Sequence, residues 1–245
     1  MASDEDYRSF IFATHQDYGM LLLFCTRKKK KGPHYQVPGG HVDKEDFDAA
    51  SSSDTDRSND SAAHILQGCK IGAARELFEE TGLDVRNSLE RLQPVWLRVC
   101  TLPESNELSC ELKKRIFFKL DVFDDDFFPK KGDSEIMTRL CVRPINNIPS
   151  HLMLKMSHEH QGFIFEPNPK RCVEYLTQHS GGKISTALRM AIEQGQIECP
   201  ESASSLSSES GEEKGASERS SGVAVVNESE KTKRRWGNIF HWCDC

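Results

Sequence analysis

Three glutamates, Glu76, Glu79 and Glu80, stand at i, i+3 and i+4 in the run Arg75-Glu76-Leu77-Phe78-Glu79-Glu80-Thr81-Gly82-Leu83. On an α-helix that spacing puts all three carboxylates on one face. Like charges so close repel, and a helix gains nothing from them unless a cation lies between. Arg75, four residues before Glu79, offsets part of that repulsion. Hard divalent cations such as Mg2+ or Mn2+ take carboxylate and phosphate oxygens and keep several waters. Taken alone, the cluster reads either as a solvated acidic helix face or as a site for holding metal against a phosphate-bearing ligand. Upstream, Val37-Pro38-Gly39-Gly40-His41-Val42-Asp43 supplies a glycine turn. Glycine lets the backbone approach a metal and a phosphate closely.

The two stretches resemble the two halves of the Nudix box: Gly, five residues, Glu, seven residues, Arg-Glu-aliphatic-x-Glu-Glu-x-Gly-aliphatic. Every fixed residue of its second half is matched between Arg75 and Leu83, and Gly39-Gly40 looks like its opening turn. The run Ser157 to Phe165 is similar to a late Nudix segment in which a Glu-His pair precedes a strand closing over the site, and the helix led by Gly182-Lys183 looks similar too. The resemblance spans about Arg8 to Ile197. It implies an α/β/α sandwich with a mixed, curved sheet, the box forming loop, helix and loop. It also implies hydrolysis of a phosphoanhydride with Mg2+ or Mn2+.

By the same resemblance Glu79 and Glu80 are direct metal ligands, and Glu76 either ligates metal or orients the attacking water. Arg75 holds a carboxylate in place, the Gly39 carbonyl adds a ligand oxygen, and Glu159 is a further base or ligand. Gly40, Arg27 and Lys28 are candidates for contact with substrate phosphates; the basic run Arg27 to Lys31 reads equally as a solvated hairpin tip. One departure stands out. Asp46 lies where the box glutamate falls when counted from Gly40, and Gln67 lies there when counted back from Arg75. About twenty extra residues intervene. Glu45 or Asp46 is left to fill the upstream acidic role. Lengthening a flexible loop costs only about 0.6 kcal/mol per doubling, so the insertion does not threaten the cluster.

Elements to position these groups are visible in the hydrophobic pattern. Ser9–Thr14 and Met20–Cys25 read as strands, Tyr35–Val37 leads into the glycine turn, and Val95–Thr101, Arg115–Phe123 and Gly162–Phe165 read as further strands. A helix is expected over Ala63–Thr81, with Leu66, Ala73 and Leu77 as its apolar stripe and Phe78 beside it, ending at Gly82. Another is expected over Ser185–Gln194. Residues 49–62 are Ser, Asp, Asn and Ala without apolar period and read as a disordered insertion in the domain spanning 1–198. Residues 199–230 read as an acidic Ser/Glu-rich linker. Residues 231–245 read as a basic-aromatic tail ending Cys243-Asp244-Cys245.

Composition narrows the classes. A net charge of −6 argues against general nucleic-acid binding, which calls for a basic surface. No run approaches the roughly 20 apolar residues of a membrane helix. Nine scattered cysteines, none in a Cys-x-x-Cys pair, suit a reducing compartment, and the expectation is a cytoplasmic protein. The tail reads either as a lipidated, peripheral membrane contact or as an unmodified extension. His158 and His160, two apart, would share a strand face as transition-metal ligands do, but other His or Cys at ligand spacing are missing. The expected substrate is a nucleoside diphosphate linked to another group, or a related polyphosphate. The alternatives are a diphosphoinositol polyphosphate or dinucleoside polyphosphate, or a Nudix module that binds nucleotide or protein without turnover.

Overall fold

The computed structural model describes residues 6–26, 32–53, 61–98, 108–109, 114–128, 141–146, 152–177 and 182–198. Strands β1 (Arg8–His15) and β2 (Gly19–Cys25) are buried along nearly their whole length, as suits a sheet covered on both faces. Ile11 and Ala13 of β1 face one hydrophobic cluster, while Phe10 and Phe12 face another. The alternation follows from successive strand side chains pointing to opposite faces. Helix α2 (Ser61–Thr81) fills the first cluster with Cys69, Ala73 and Leu77. Helices α3 (Pro169–Thr177) and α4 (Lys183–Glu193) fill the second with Cys172, Leu176, Ala187, Leu188 and Ala191. The result is the expected α/β/α sandwich.

The sheet is mixed, and its topology makes the site. β1 runs parallel to β8 (Arg115–Val122) along its whole length, from Arg8↔Arg115 to His15↔Val122. On its other edge β1 pairs with β2 only at Thr14↔Met20 and His15↔Gly19, beside the connecting turn. The two strands then part. Into the gap go β3 (His34–Gln36), paired to the far end of β2, and β4 (Gly39–His41), paired to the near end of β1. β9 (His160–Glu166) covers the other edge of β2, and β5 (Gln93–Pro94) covers β8. A short separate pair joins β6 (Leu97–Arg98) to β7 (Leu108–Ser109). The expected strand over Val95–Thr101 is thus confined to these short pieces, with 99–101 outside the described residues.

Two expectations are corrected. Residues 49–53 belong to helix α1 (Lys44–Ser53), and Ser61 and Ala62 open α2, so both ends of the 49–62 segment are helical. Residues 54–60 lie outside the described residues. Tertiary packing overrides the poor helix propensity of the Ser-rich run. Ala50 is buried, and Phe47 lies so close to Gly68 of α2 that an added Cβ would overlap its ring. Phe78, expected beside the core stripe, is at the surface under the Arg86 guanidinium, 3.7 Å from the ring centroid. Gly82 ends α2 as expected, with φ of 75° and its N–H donating to the Phe78 carbonyl at 2.8 Å. The basic run 27–31 and the segments expected over 199–230 and 231–245 lie outside the described residues.

Candidate active site

Where β1 and β2 part, β4 brings Gly39 and Gly40 beside the last turns of α2. The Gly39 N–H donates to Glu80 Oε2 at 2.9 Å. Gly39 has φ of 138°, and a Cβ there would overlap the Ser9 carbonyl oxygen, so only glycine fits. A Cβ on Gly40 would stand 2.6–2.7 Å from the Glu76 carboxylate. The two glycines therefore seat two of the three helix glutamates against the sheet. Glu76 and Glu80, together with Glu159 from the turn before β9, line one cleft of about 290 Å3.

Arg75 organises the acidic side of this arrangement. Its Nε and Nη2 donate to the two Asp46 oxygens at 3.3 and 3.0 Å, and Nη2 also reaches the His41 carbonyl at 3.0 Å. Asp43 pairs with it at 2.8 Å, Glu76 at 3.1 Å and Glu79 at 3.4 Å. Burial alone would lower the Arg75 pKa; the Asp46 hydrogen bonds and the charges of Asp46, Glu76 and Asp43 more than reverse this, so it stays charged. Asp46 is buried and also accepts from the Asp43 N–H at 2.9 Å. A Cβ on Gly72 would come within 2.9 Å of Asp46 Oδ2, so this glycine makes room for the carboxylate. Between the candidates for the upstream acid, Asp46 is thus the one held by the site, while Glu45 is exposed.

The glutamates differ in their surroundings. Burial pushes the Glu76 carboxyl up; Arg75 pulls it part of the way back, and Glu79 and Asp43 push it up further, leaving it above the usual carboxylate range. A cation beside Glu76 would reverse that penalty. Glu79 has a side chain 56% exposed and faces Arg75 rather than the cleft. Glu80 is buried, with His160 Nε2 3.6 Å from its Oε1. His160 is buried and bonded through Nδ1 to Ser157 Oγ at 2.9 Å, whereas His158 is exposed, so the two do not form a joint metal site. Glu159 is delivered by a turn tied to the end of α2: Lys155 N–H donates to the Thr81 carbonyl and Ser157 N–H to the Glu80 carbonyl.

Among the described residues, no three His, Cys, Asp or Glu side chains are gathered tightly enough to hold a metal ion by themselves. The donor set still fits a hard cation. Glu76 and Glu80 offer carboxylate oxygens to a common cleft, and Mg2+ completes its shell with water and substrate oxygens rather than with an all-protein cage.

The sequence reading missed three groups in the cleft: Arg8 at the start of β1, Arg115 at the start of β8, and Lys183 at the start of α4. Their scatter along the chain hides them; only the strand register brings Arg8 beside Arg115. Cys25, Cys69, Cys141 and Cys172 form no disulfide among the described residues and do not line the cleft.

No family model matches the chain, and no curated protein matches it. Among solved structures the chain is similar to a MutT protein from Methanosarcina mazei Go1, at 14% identity and a TM-score of 0.41, covering 80% of this chain and 99% of that one. It is also similar to a C. elegans Ap4A hydrolase in a binary complex, at 15% identity and a TM-score of 0.36, covering 78% and 98%. A third similar structure is a Nudix hydrolase from Nitrosomonas europaea, at 13% identity and a TM-score of 0.39, covering 80% and 93%.

Proposed function

We infer that this chain is a Nudix-type pyrophosphohydrolase, which splits a phosphoanhydride by attack of water with divalent metal bound. One observation carries the reading: a single cleft joins Glu76, Glu80 and Glu159 to Arg8, Arg115 and Lys183 around the Gly39–Gly40 turn. Carboxylates suit the metal, and cations suit the phosphates that metal alone does not neutralise. Glu76 and Glu80 would hold Mg2+ or Mn2+, which lowers the pKa of bound water and screens charge developing on the phosphate. Glu159 and Glu76 are the candidates to take the proton of the attacking water, since both line the cleft. Arg75 keeps Glu76 oriented, and Gly39 holds Glu80 through its N–H. The substrate is a small phosphoanhydride, either a nucleoside diphosphate derivative or a related polyphosphate.

The test is purified full chain against a panel of nucleoside diphosphate sugars, dinucleoside polyphosphates and inorganic polyphosphates with Mg2+ and Mn2+. Released phosphate or monophosphate is expected, abolished by exhaustive chelation. Tight binding of a panel compound with no turnover would make the chain a binding module instead, and full turnover after metal removal would overturn the metal assignment.

A further inference from the structure

Ser9 on β1 is wholly buried, and among the described residues its Oγ is the one buried side-chain oxygen or nitrogen without a hydrogen-bond partner. Buried hydroxyls are normally bonded, because an unpaired one forfeits the hydrogen bonds that water gave it. Space alone does not call for serine. Ala13, further along β1 on the same face, shows that the strand accepts alanine there, with no oxygen to leave unpaired.

The strand register shows where the hydroxyl lies. Phe10 and Phe12 face the α3–α4 side of the sheet, so Ser9, like Ile11, faces α2. Ser9 is the direct partner of Gly40 across the antiparallel β1–β4 pair. Side chains of such partners lie on one face, with Cβ positions about 4.5–5.5 Å apart. The place of the missing Gly40 Cβ is in turn 2.6–2.7 Å from the Glu76 carboxylate atoms. Glycine therefore puts no side chain of its own between Ser9 and Glu76. Glu76 Oε1 accepts from Arg75 Nη1 at 3.1 Å, and among the described residues no hydrogen bond reaches Oε2. A buried donor without an acceptor thus neighbours a half-buried carboxylate with an oxygen to spare.

We propose that Ser9 is a positioning residue for Glu76: its Oγ–H donates to the Glu76 carboxylate when that carboxylate turns to hold a divalent cation. The hydroxyl is then unpaired only in the metal-free chain. This rests on the reading of Glu76 as a metal ligand. A neutral donor suits the position. Arg75 already gives Glu76 a positive partner, and a second cationic side chain would compete with the metal, whereas a hydroxyl orients the carboxylate and leaves its charge in place.

Ser9→Ala tests the proposal, because the metal-free and metal-bound chains should respond differently. In EDTA the full-length variant should melt at the native temperature or above it, since it sheds an unpaired buried hydroxyl. Mn2+ affinity, titrated by electron paramagnetic resonance without substrate, should fall about tenfold, the usual cost of removing a group that orients a metal ligand. A melting temperature in EDTA more than about 2 °C below native would mean that Oγ is already bonded in the metal-free fold, and would overturn the proposal. So would a Mn2+ affinity equal to that of the native chain. Either result leaves metal binding and hydrolysis by the native chain standing. A native chain that binds no Mn2+ would instead sink the metal reading, and the proposal with it.

Discussion

Glu76 is held where its own charge is costly: half-buried against Gly40, with Glu79 and Asp43 nearby and Arg75 compensating only in part. Its folded-state pKa is raised, so between the unfolded and folded values the native state binds the extra proton. Stability of the metal-free chain therefore falls as pH rises through that window, above the ordinary carboxylate range. In EDTA, Glu76→Gln is expected to melt higher than the native chain at neutral pH, with the gap closing in acid. A gap that stays constant across the titration would show that charge at Glu76 is not the cause. The surroundings also rank the ligands. Glu80→Gln, in the buried position facing the cleft, is expected to cut kcat/KM by about 100-fold or more, while its amide oxygen still accepts from Gly39. Glu79→Gln, exposed and turned toward Arg75, is expected to cost less than about tenfold. Steady-state kinetics at limiting Mg2+ compares them, and equal losses would place Glu79 in the metal's own shell.

At the scale of elements, α1 and α2 behave as one unit clamped by Arg75 and Asp46. Asp46→Asn should lower stability by about 1–3 kcal/mol, because Arg75 keeps other partners but loses a buried bidentate one. Glu45→Gln, on the exposed side, should fall within about 0.5 kcal/mol. Urea unfolding separates the two, and equal effects would remove Asp46 from its assigned place. The insertion divides in the same way. Replacing 54–60 by a short Gly-Ser link should keep the melting temperature and most catalysis, since loop length costs little closure entropy. Deleting all of 49–62 should not, because it takes Ala50 from the core and Ser51 from its bonds to Phe47 and His64. Similar melting temperatures for the two deletions would contradict the α1–α2 packing. The sequence hid α1 because its Asp, Phe and Ser residues are weak helix formers, and the close approach of Phe47 to Gly68 that helps order it is a tertiary contact. Helix α3 was legible and overlooked. Asn168 Oδ1 caps it at the Lys170 and Arg171 N–H groups, and Pro169 follows at the first helical position.

For the whole molecule, the described core closes by Ile197, which is buried with the α4 cluster. A chain ending at Pro200 should keep the kcat/KM of the full chain within about threefold, because residues 201–230 are too poor in apolar side chains to offset the entropy of ordering them. A large loss on truncation, with the melting temperature unchanged, would place the tail in the reaction.

Residue spacing along the chain was enough to put Glu76, Glu79 and Glu80 on one helical face, to end that helix at Gly82, and to mark β1 and β8 as strands. Those are short-range consequences of the 3.6 and 2.0 periods, which local sequence carries in full. What the tertiary structure decided is which of these groups work together. The parting of β1 from β2 made the gap that β3 and β4 fill, and that gap turns Glu76 and Glu80 inward while leaving Glu79 on the surface. Close packing of α1 on Gly68 and Gly72 chose Asp46 over Glu45 and Gln67. The parallel register of β1 and β8 brought together Arg8 and Arg115, 107 residues apart. Such pairings depend on strand order and close approach between distant segments, and no local pattern encodes them.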